Sequence, residues 1–474
     1  MSGCACVSSG VGVSIVPRYT ERAAGSKTLQ FMLPPPSGSH LAAHYYLNAT
    51  IDRPAGDRKF ARGTLFYFWI DTAAGPRPAG RADVTRLGVR TNSSAAQTAV
   101  IQHLLDTVAV GTRLFFPYGR YITAELSLHR SGVGIDLAEG TLLQHPGSTG
   151  GPAARDSSSE PPPNGNCQEK AFLTVSQAAD VYIGGRGATI DANGFPGSSL
   201  CIADSSNVTL ESVLLRGSCS WSTHIFRSST VTASGIKIFS GADGFDPDNS
   251  QDVTLDSCFV HSNDDAVAVK ATTHSTAART LDTVRVTISN ALFSTKKSCL
   301  KLGTESLANF RDILFTDVEG FNLDRGMVLY PSDGGSFTNV RWQRVRFSSF
   351  YDYKDEAKRG MVWDFAEKHR GGLSQLSNIT ATGIDSVLRA PSLFKGVPGA
   401  PIQGVSFADV TLRAEAQFHF GGQASRPVVF GCQGERAGAI EIEGLTMDWG
   451  GRESEWEGLQ EKQSNGSSCV RVVA

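Results

Sequence analysis

The chain has 474 residues, with 44 basic against 46 acidic side chains for a net charge of −2, and it is 40% hydrophobic and 9% aromatic. Near-neutrality excludes the broad basic surface that nucleic acid or an anionic membrane demands, and no apolar run is long enough for a transmembrane helix. Fifty glycines among many short Val/Ile/Thr runs suit a turn-rich β protein better than a helical one.

Residues 1–90 stand apart. Runs at 29–33, 44–51 and 64–70 are strand-like and are split by Pro/Gly clusters, as in a small β-rich N-terminal region. The start, 1–17, lacks the basic and apolar stretches of a signal peptide. Residues 95–110 have helical spacing through Val100, Ile101, Leu104 and Leu105 and end at Gly111. Residues 114–119 and 121–128 then alternate like strands, and 147–166, with Pro161-Pro-Pro163, reads as an exposed insertion.

From about residue 175 one phrase recurs: a small or polar turn residue, then a short alternating β run. It stands at Asp180-Val-Tyr-Ile183, Asn207-Val-Thr-Leu210, Thr230-Val-Thr-Ala233, Asp252-Val-Thr-Leu255, Asp312-Ile-Leu-Phe315, Asn339-Val-Arg-Trp342, Asn378-Ile-Thr-Ala381 and Gly404-Val-Ser-Phe407. The intervals are mostly 22 to 31 residues, counting an altered turn at Thr283-Val-Arg-Val286. Such a period with several short strands means a solenoid, in which each turn of chain buries its apolar face only against its neighbours. An antiparallel sandwich also has closely spaced strands, but it does not return the same phrase at nearly the same interval. The expectation is an all-β chain in which residues 91–474 wind as a single-stranded parallel β-helix.

Two acidic segments stand out, residues 241–250 and 262–270. Asp243 and Asp264 are 21 residues apart, close to one coil of the repeat. Residues one coil apart stack at roughly 4.8 Å, so Asp243 should lie beside Asp264 and Asp265. Crowded like charges raise at least one pKa, leaving one acid protonated while its neighbours stay ionised. Glycoside hydrolysis uses that division of labour. The competing readings are turn capping by Asp side chains, which suits Asp246 and Asp248, and a calcium site.

The nine cysteines form no CxxC pair, and their odd number leaves at least one outside any intrachain disulfide. Cys258 and Cys299 fall in apolar runs and read as buried thiols, while Cys432 and Cys469 are placed to staple the end of the chain. Sequons begin at Asn48, Asn92, Asn207, Asn378 and Asn465.

Trp221-Ser-Thr-His224, Ala242-Asp-Gly-Phe-Asp-Pro247 and Asn263-Asp-Asp-Ala-Val-Ala-Val-Lys270 run in an order that resembles polygalacturonase-like glycoside hydrolases. Thr98-Ala-Val-Ile-Gln102, residues 114–121, Gly187-Ala-Thr-Ile-Asp-Ala-Asn-Gly194, Leu302-Gly-Thr-Glu305 and Asp324-Arg-Gly326 extend the likeness over about 95–430. The resemblance implies a right-handed β-helix that cleaves a polysaccharide with inversion. It makes Asp264 the general acid and gives Asp243 and Asp265 the attacking water. It implies no cofactor or metal, a monomer, and secretion. Two motifs depart from the pattern. Lys296-Lys-Ser298 stands where the family has G-H-G, and Val328-Leu-Tyr330 where it has R-I-K, whose basic groups hold a uronate carboxylate. Lys270, Lys297 and Lys301 are candidates to supply replacement charge, and Tyr330 to stack on a sugar. Trp363-Asp364 and Tyr351-Asp-Tyr353 are candidate cleft walls, and His224 is expected to pack or hydrogen-bond near Asp243. A dextranase-type hydrolase of neutral glucan, a β-helix polysaccharide lyase and a non-catalytic glycan binder remain alternatives.

Overall fold

The computed structural model describes residues 80–147, 171–273, 281–350, 360–366, 372–397, 399–400, 402–414, 428–433, 440–448, 458–460 and 470–473, together with five strands nearer the start. Of these five, Gly3–Val7, Ala42–Ala49 and Thr64–Asp71 form an antiparallel sheet, and Arg18–Arg22 pairs with Ser26–Gln30. The expected disulfide between Cys432 and Cys469, most of the insertion at 147–166, and Tyr351-Asp-Tyr353 lie outside the described side chains.

The rest is a right-handed parallel β-helix, built on one sheet of 18 strands and another of 12 among the described residues. Its first rung comes earlier than the boundary read at residue 90, because Arg81–Asp83 already pairs in parallel with Arg113–Phe116. The expected helix is Thr98–Thr107, with Ile101 and Leu105 buried in the common core. It covers the end strand of the 12-stranded sheet, Leu126–Leu128. Gln102 extends a strand-like pair of bonds to that strand, accepting from Ser127 N at 2.9 Å and donating to Ser127 O at 2.8 Å. An edge that would otherwise template aggregation is thereby satisfied.

The recurring phrase has a conformational cause. Asp180, Asn207, Thr230, Asp252, Asp312, Asn339 and Asn378 all have φ between 51° and 59°, and Gly404 has 67°. Each sits in the left-handed region that Asn, Asp and Gly tolerate best. The next residue starts the inward column: Val181, Val208, Val231, Val253, Val286, Ile313, Val340, Ile379 and Val405 pair rung to rung. The altered turn is therefore two residues later than the match at Thr283. Arg285, with φ 55°, holds that position, and its Nε donates to Asp252 Oδ1 at 2.6 Å. Neighbouring rungs are linked the same way, from Asn207 Nδ2 to Asp180 at 2.5 Å and from Asn339 Nδ2 to Asp312 at 2.9 Å. Asn378 Nδ2 continues the ladder to Asn339 at 2.7 Å. The sequons at Asn207 and Asn378 thus have their amide nitrogens engaged, whereas Asn92 lies exposed.

Cys258 and Cys299 are free and buried, as expected; Cys219 is free and half-buried, and Cys201 is disulfide-bonded.

Candidate active site

The 12-stranded sheet carries the acidic cluster. Thr223–Phe226, Phe245–Asp248, Val267–Ala271, Ser298–Ser306, Arg325–Leu329 and Met361–Ala366 stack in register, with Phe245, Val267, Leu300, Met327 and Trp363 forming one inward column. Alternate residues must face outward. One outward column therefore carries His224, Asp246, Ala268, Lys301, Val328 and Asp364, and the next carries Phe226, Asp248 and Lys270.

Asp243 precedes the inward Phe245 by two residues, and Asp265 precedes the inward Val267 by two. The register therefore sets them side by side. Asp265 N donates to Asp243 Oδ1 at 3.2 Å, and Ser298 N donates to Asp265 Oδ1 at 2.9 Å. Gly244 allows this approach, since a Cβ there would stand 2.6 Å from Ala266 O and 2.3 Å from Val260 Cγ1. Carboxylate oxygens of Asp243, Asp264 and Asp265 all lie within 4.8 Å of one another. Asp243 and Asp265 are buried, and Asp264 is half-buried. The three residues are together, as coil stacking demands.

Two lysines distinguish them. Lys270 Nζ donates to Asp243 Oδ2 at 2.8 Å, lies 3.5 Å from Asp246 Oδ1, and sits 3.5 Å from the centre of the Trp221 ring. Lys301 Nζ donates to Asp265 Oδ2 at 2.6 Å. Among the described residues no cation lies within ion-pair distance of Asp264. Burial, then the charges of Asp265 and Asp243, push the Asp264 carboxyl up to about 7 against the opposing pull of Lys301 and Lys297. Burial pushes Asp265 the same way, but Lys301 and the bonds from Lys301 and Ser298 outweigh it and hold Asp265 below the usual carboxylate range. Burial also opposes the charge of Lys270, yet Asp243, Asp246 and Glu305 keep its ammonium well above its ordinary value.

The lysines thus act differently from the expectation. Lys270 and Lys301 are neither surface groups nor free charges for a substrate, because each is spent on a buried aspartate. Lys297 is half-buried and, among the described residues, pairs with no carboxylate. Tyr330 is only 7% exposed, packs with Val328 and Ala366, and donates its hydroxyl to Asp364. Little of its ring is left to stack on a sugar, which corrects that expectation. His224 does hydrogen-bond one rung from the cluster, with Nε2 3.0 Å from Asp248 Oδ2.

Asp246 is no turn cap. It is fully buried, and neither oxygen accepts a hydrogen bond, although Lys270 Nζ lies 3.5 Å from Oδ1. Burial, then Asp243, push its pKa well up against the pull of Lys270. Asp248 partly fits the capping reading, accepting from Thr272 N at 2.9 Å on the next coil. A metal shared by Asp243, Asp264 and Asp265 would have to coexist with two ammonium groups already on two of them. The donor set favours protonation over metal binding.

Sequence reasoning missed Arg325 and underweighted Asp364. Arg325 lies one rung beyond Ser298 and forms ion pairs without hydrogen bonds, with Nε 3.3 Å from Asp364 Oδ2 and a guanidinium nitrogen 3.6 Å from Asp324 Oδ2. The Asp324-Arg-Gly326 motif was the available signal. Asp364 stands across an insertion, 34 residues from its partner Tyr330, where no local pattern links the two.

The fold and this outward cluster define a right-handed parallel β-helix with one aspartate row stacked on the next. In sequence the chain is 22% identical over 374 residues to a "Probable polygalacturonase" of Vitis vinifera, across 70% of this chain and 72% of that protein. In structure it is similar to the hyperthermoactive exopolygalacturonase of Thermotoga maritima, with TM-score 0.56 and 13% identity, over 78% of this chain and 92% of the other. It is similar also to the polygalacturonase of Erwinia carotovora, with TM-score 0.55 and 16% identity, over 85% and 99%. A family 28 exopolygalacturonase of Yersinia enterocolitica matches with TM-score 0.51 and 14% identity, over 91% and 84%. No protein-family model matches the chain. The chain is polygalacturonase-like in sequence and in fold, a likeness that points to a glycoside hydrolase.

Proposed function

We propose that the chain hydrolyses glycosidic bonds of a polysaccharide lying across the outward face of the 12-stranded sheet. Asp264, protonated near neutral pH, gives its proton to the leaving oxygen. Asp243 and Asp265, each held by a lysine, orient and deprotonate water. The observation that carries this reading is the unequal pairing: Lys270 holds Asp243, Lys301 holds Asp265, and neither reaches ion-pair distance of Asp264. Three like acids are thereby split into one donor and two acceptors, as acid–base catalysis requires.

The resemblance implies inversion. The three carboxyls approach within 4.8 Å, tighter than the roughly 6.5–9.5 Å typical of inverting pairs. Inversion here has the water bound between Asp243 and Asp265 as a pair rather than in a wide gap. A retained first product would make one of those two the nucleophile. The disulfide at Cys201 fits an oxidising compartment and supports secretion; among the described residues no helix is long and apolar enough to cross a membrane.

The test is release of reducing ends from a panel of glycans, with the first anomer followed by NMR. Asp264→Asn should abolish release while circular dichroism stays unchanged. Unsaturated, ultraviolet-absorbing products would replace hydrolysis by elimination, and binding without new reducing ends would leave a glycan-binding protein.

A further inference from the structure

The charges along the same face say more about its substrate. A polyuronate brings one carboxylate per sugar, so a groove that binds it needs uncommitted cations at successive subsites. In a β-helix successive subsites are successive rungs. On the rung of Asp265 the cation is Lys270, donating to Asp243 at 2.8 Å. On the next rung Lys301 donates to Asp265 at 2.6 Å. On the rung after that Arg325, about a quarter exposed, is held at 3.3 Å by Asp364 and at 3.6 Å by Asp324. Of the lysines beside the cluster, Lys297 and the exposed Lys296 next to it have no carboxylate within ion-pair distance among the described residues. Each clamp brings a carboxylate for its cation, and Arg325 has two. An acidic polymer would meet cations already neutralised by carboxylates at nearly every rung, and so would give up its hydration without gaining a free counter-charge.

Building on the hydrolytic reading, we infer that this groove takes a neutral glycan, with room for one anionic group beside Lys297. Hydroxyl groups, not carboxylates, meet the rungs on either side of the cleaved bond. Arg325 sets this preference through Asp364, which keeps its guanidinium from presenting a free positive charge.

Affinity electrophoresis of Asp264→Asn, which keeps the groove but does not turn over, reads the preference apart from catalysis. The gels carry polygalacturonate, its fully methyl-esterified form, dextran or pullulan. The expected result is retention by at least one neutral polymer about tenfold or more stronger than by polygalacturonate. Adding Asp364→Asn removes the nearer of the two carboxylates on Arg325 and should narrow that ratio several-fold, a change in preference that mere loss of structure would not produce. Stronger retention by polygalacturonate than by every neutral polymer, or retention by none, overturns the inference. Failure of the hydrolytic reading looks different: the glycan that retains the variant yields no reducing ends with the unmodified protein.

Discussion

Two stacks of side chains run along this β-helix, and they differ in chemistry and in burial. On the large sheet the left-handed turn residues form one stack, where Asn207 donates to Asp180, Arg285 to Asp252 and Asn339 to Asp312. On the small sheet Asp243 and Asp265 form the other. Both come from one residue per coil at one spacing. In the first, donors meet acceptors on the exposed surface, and the stack adds modest stability. In the second, like charges meet in partly buried ground. There they need buried lysines to persist, and their neighbour Asp264 holds its proton to about neutral pH. The same repeat geometry yields scaffold or reactivity according to whether the stacked groups complement one another.

The largest expected effect breaks the reactive stack. Asp264→Asn should cost about 10²–10⁴-fold in kcat/KM, measured by reducing-end release, since it removes general acid catalysis. Lys270→Met comes next. It leaves Asp243 and the buried Asp246 without their cation, and denaturant unfolding should show a loss of about 3–5 kcal/mol. Adding Asp243→Asn to that variant should recover part of it, because the two residues share one interaction.

Asp264 itself should be a stability cost. Its folded pKa of about 7 lies above the unfolded value near 3.8, so the native state binds more protons across that window. Its contribution therefore falls as pH rises through the window and is fully unfavourable above 7. Asp264→Asn, though inactive, should be more stable at pH 8 than the unmodified protein by about 2 kcal/mol, with the gain vanishing at pH 4. Lys301→Met should act in the opposite sense on Asp265. Without Lys301 that carboxyl loses what holds it below the usual range, so the acid limb of the rate profile moves to higher pH.

The smallest effect tests the quiet stack. Asn339→Ala should cost about 1–2 kcal/mol, because alanine is strained at φ 57°, and Asn339→Gly less. Equal losses would mean that the bond to Asp312, not backbone strain, carries the position.

The same contrast governs what could be read from sequence. The quiet stack was legible because its cause is local: a residue suited to the left-handed region followed by an alternating run. It slipped at Thr283 because an arginine, which the pattern did not anticipate, holds the turn at Arg285 and reaches back to Asp252. The aspartate row was legible because its spacing matches one coil. The partners of that row were not. Lys270 and Lys301 meet acids 27 and 36 residues earlier, and whether a lysine reaches solvent or a buried carboxylate depends on the neighbouring rung. Asp246 shows the remaining gap. It follows the inward Phe245 and so faces out with the cluster, yet its place among turn-forming residues made capping the simpler reading.

A potentiometric difference titration between the unmodified protein and Asp264→Asn, run on the folded proteins from pH 4 to 9, needs no substrate and tests the split among the three acids most directly. If stacking and lysine pairing make Asp264 the proton donor, the unmodified protein releases one additional proton with a midpoint at about 7. A midpoint in the ordinary carboxylate range, near 4, would mean that Asp264 is ionised along with its neighbours and would contradict its assignment as the acid.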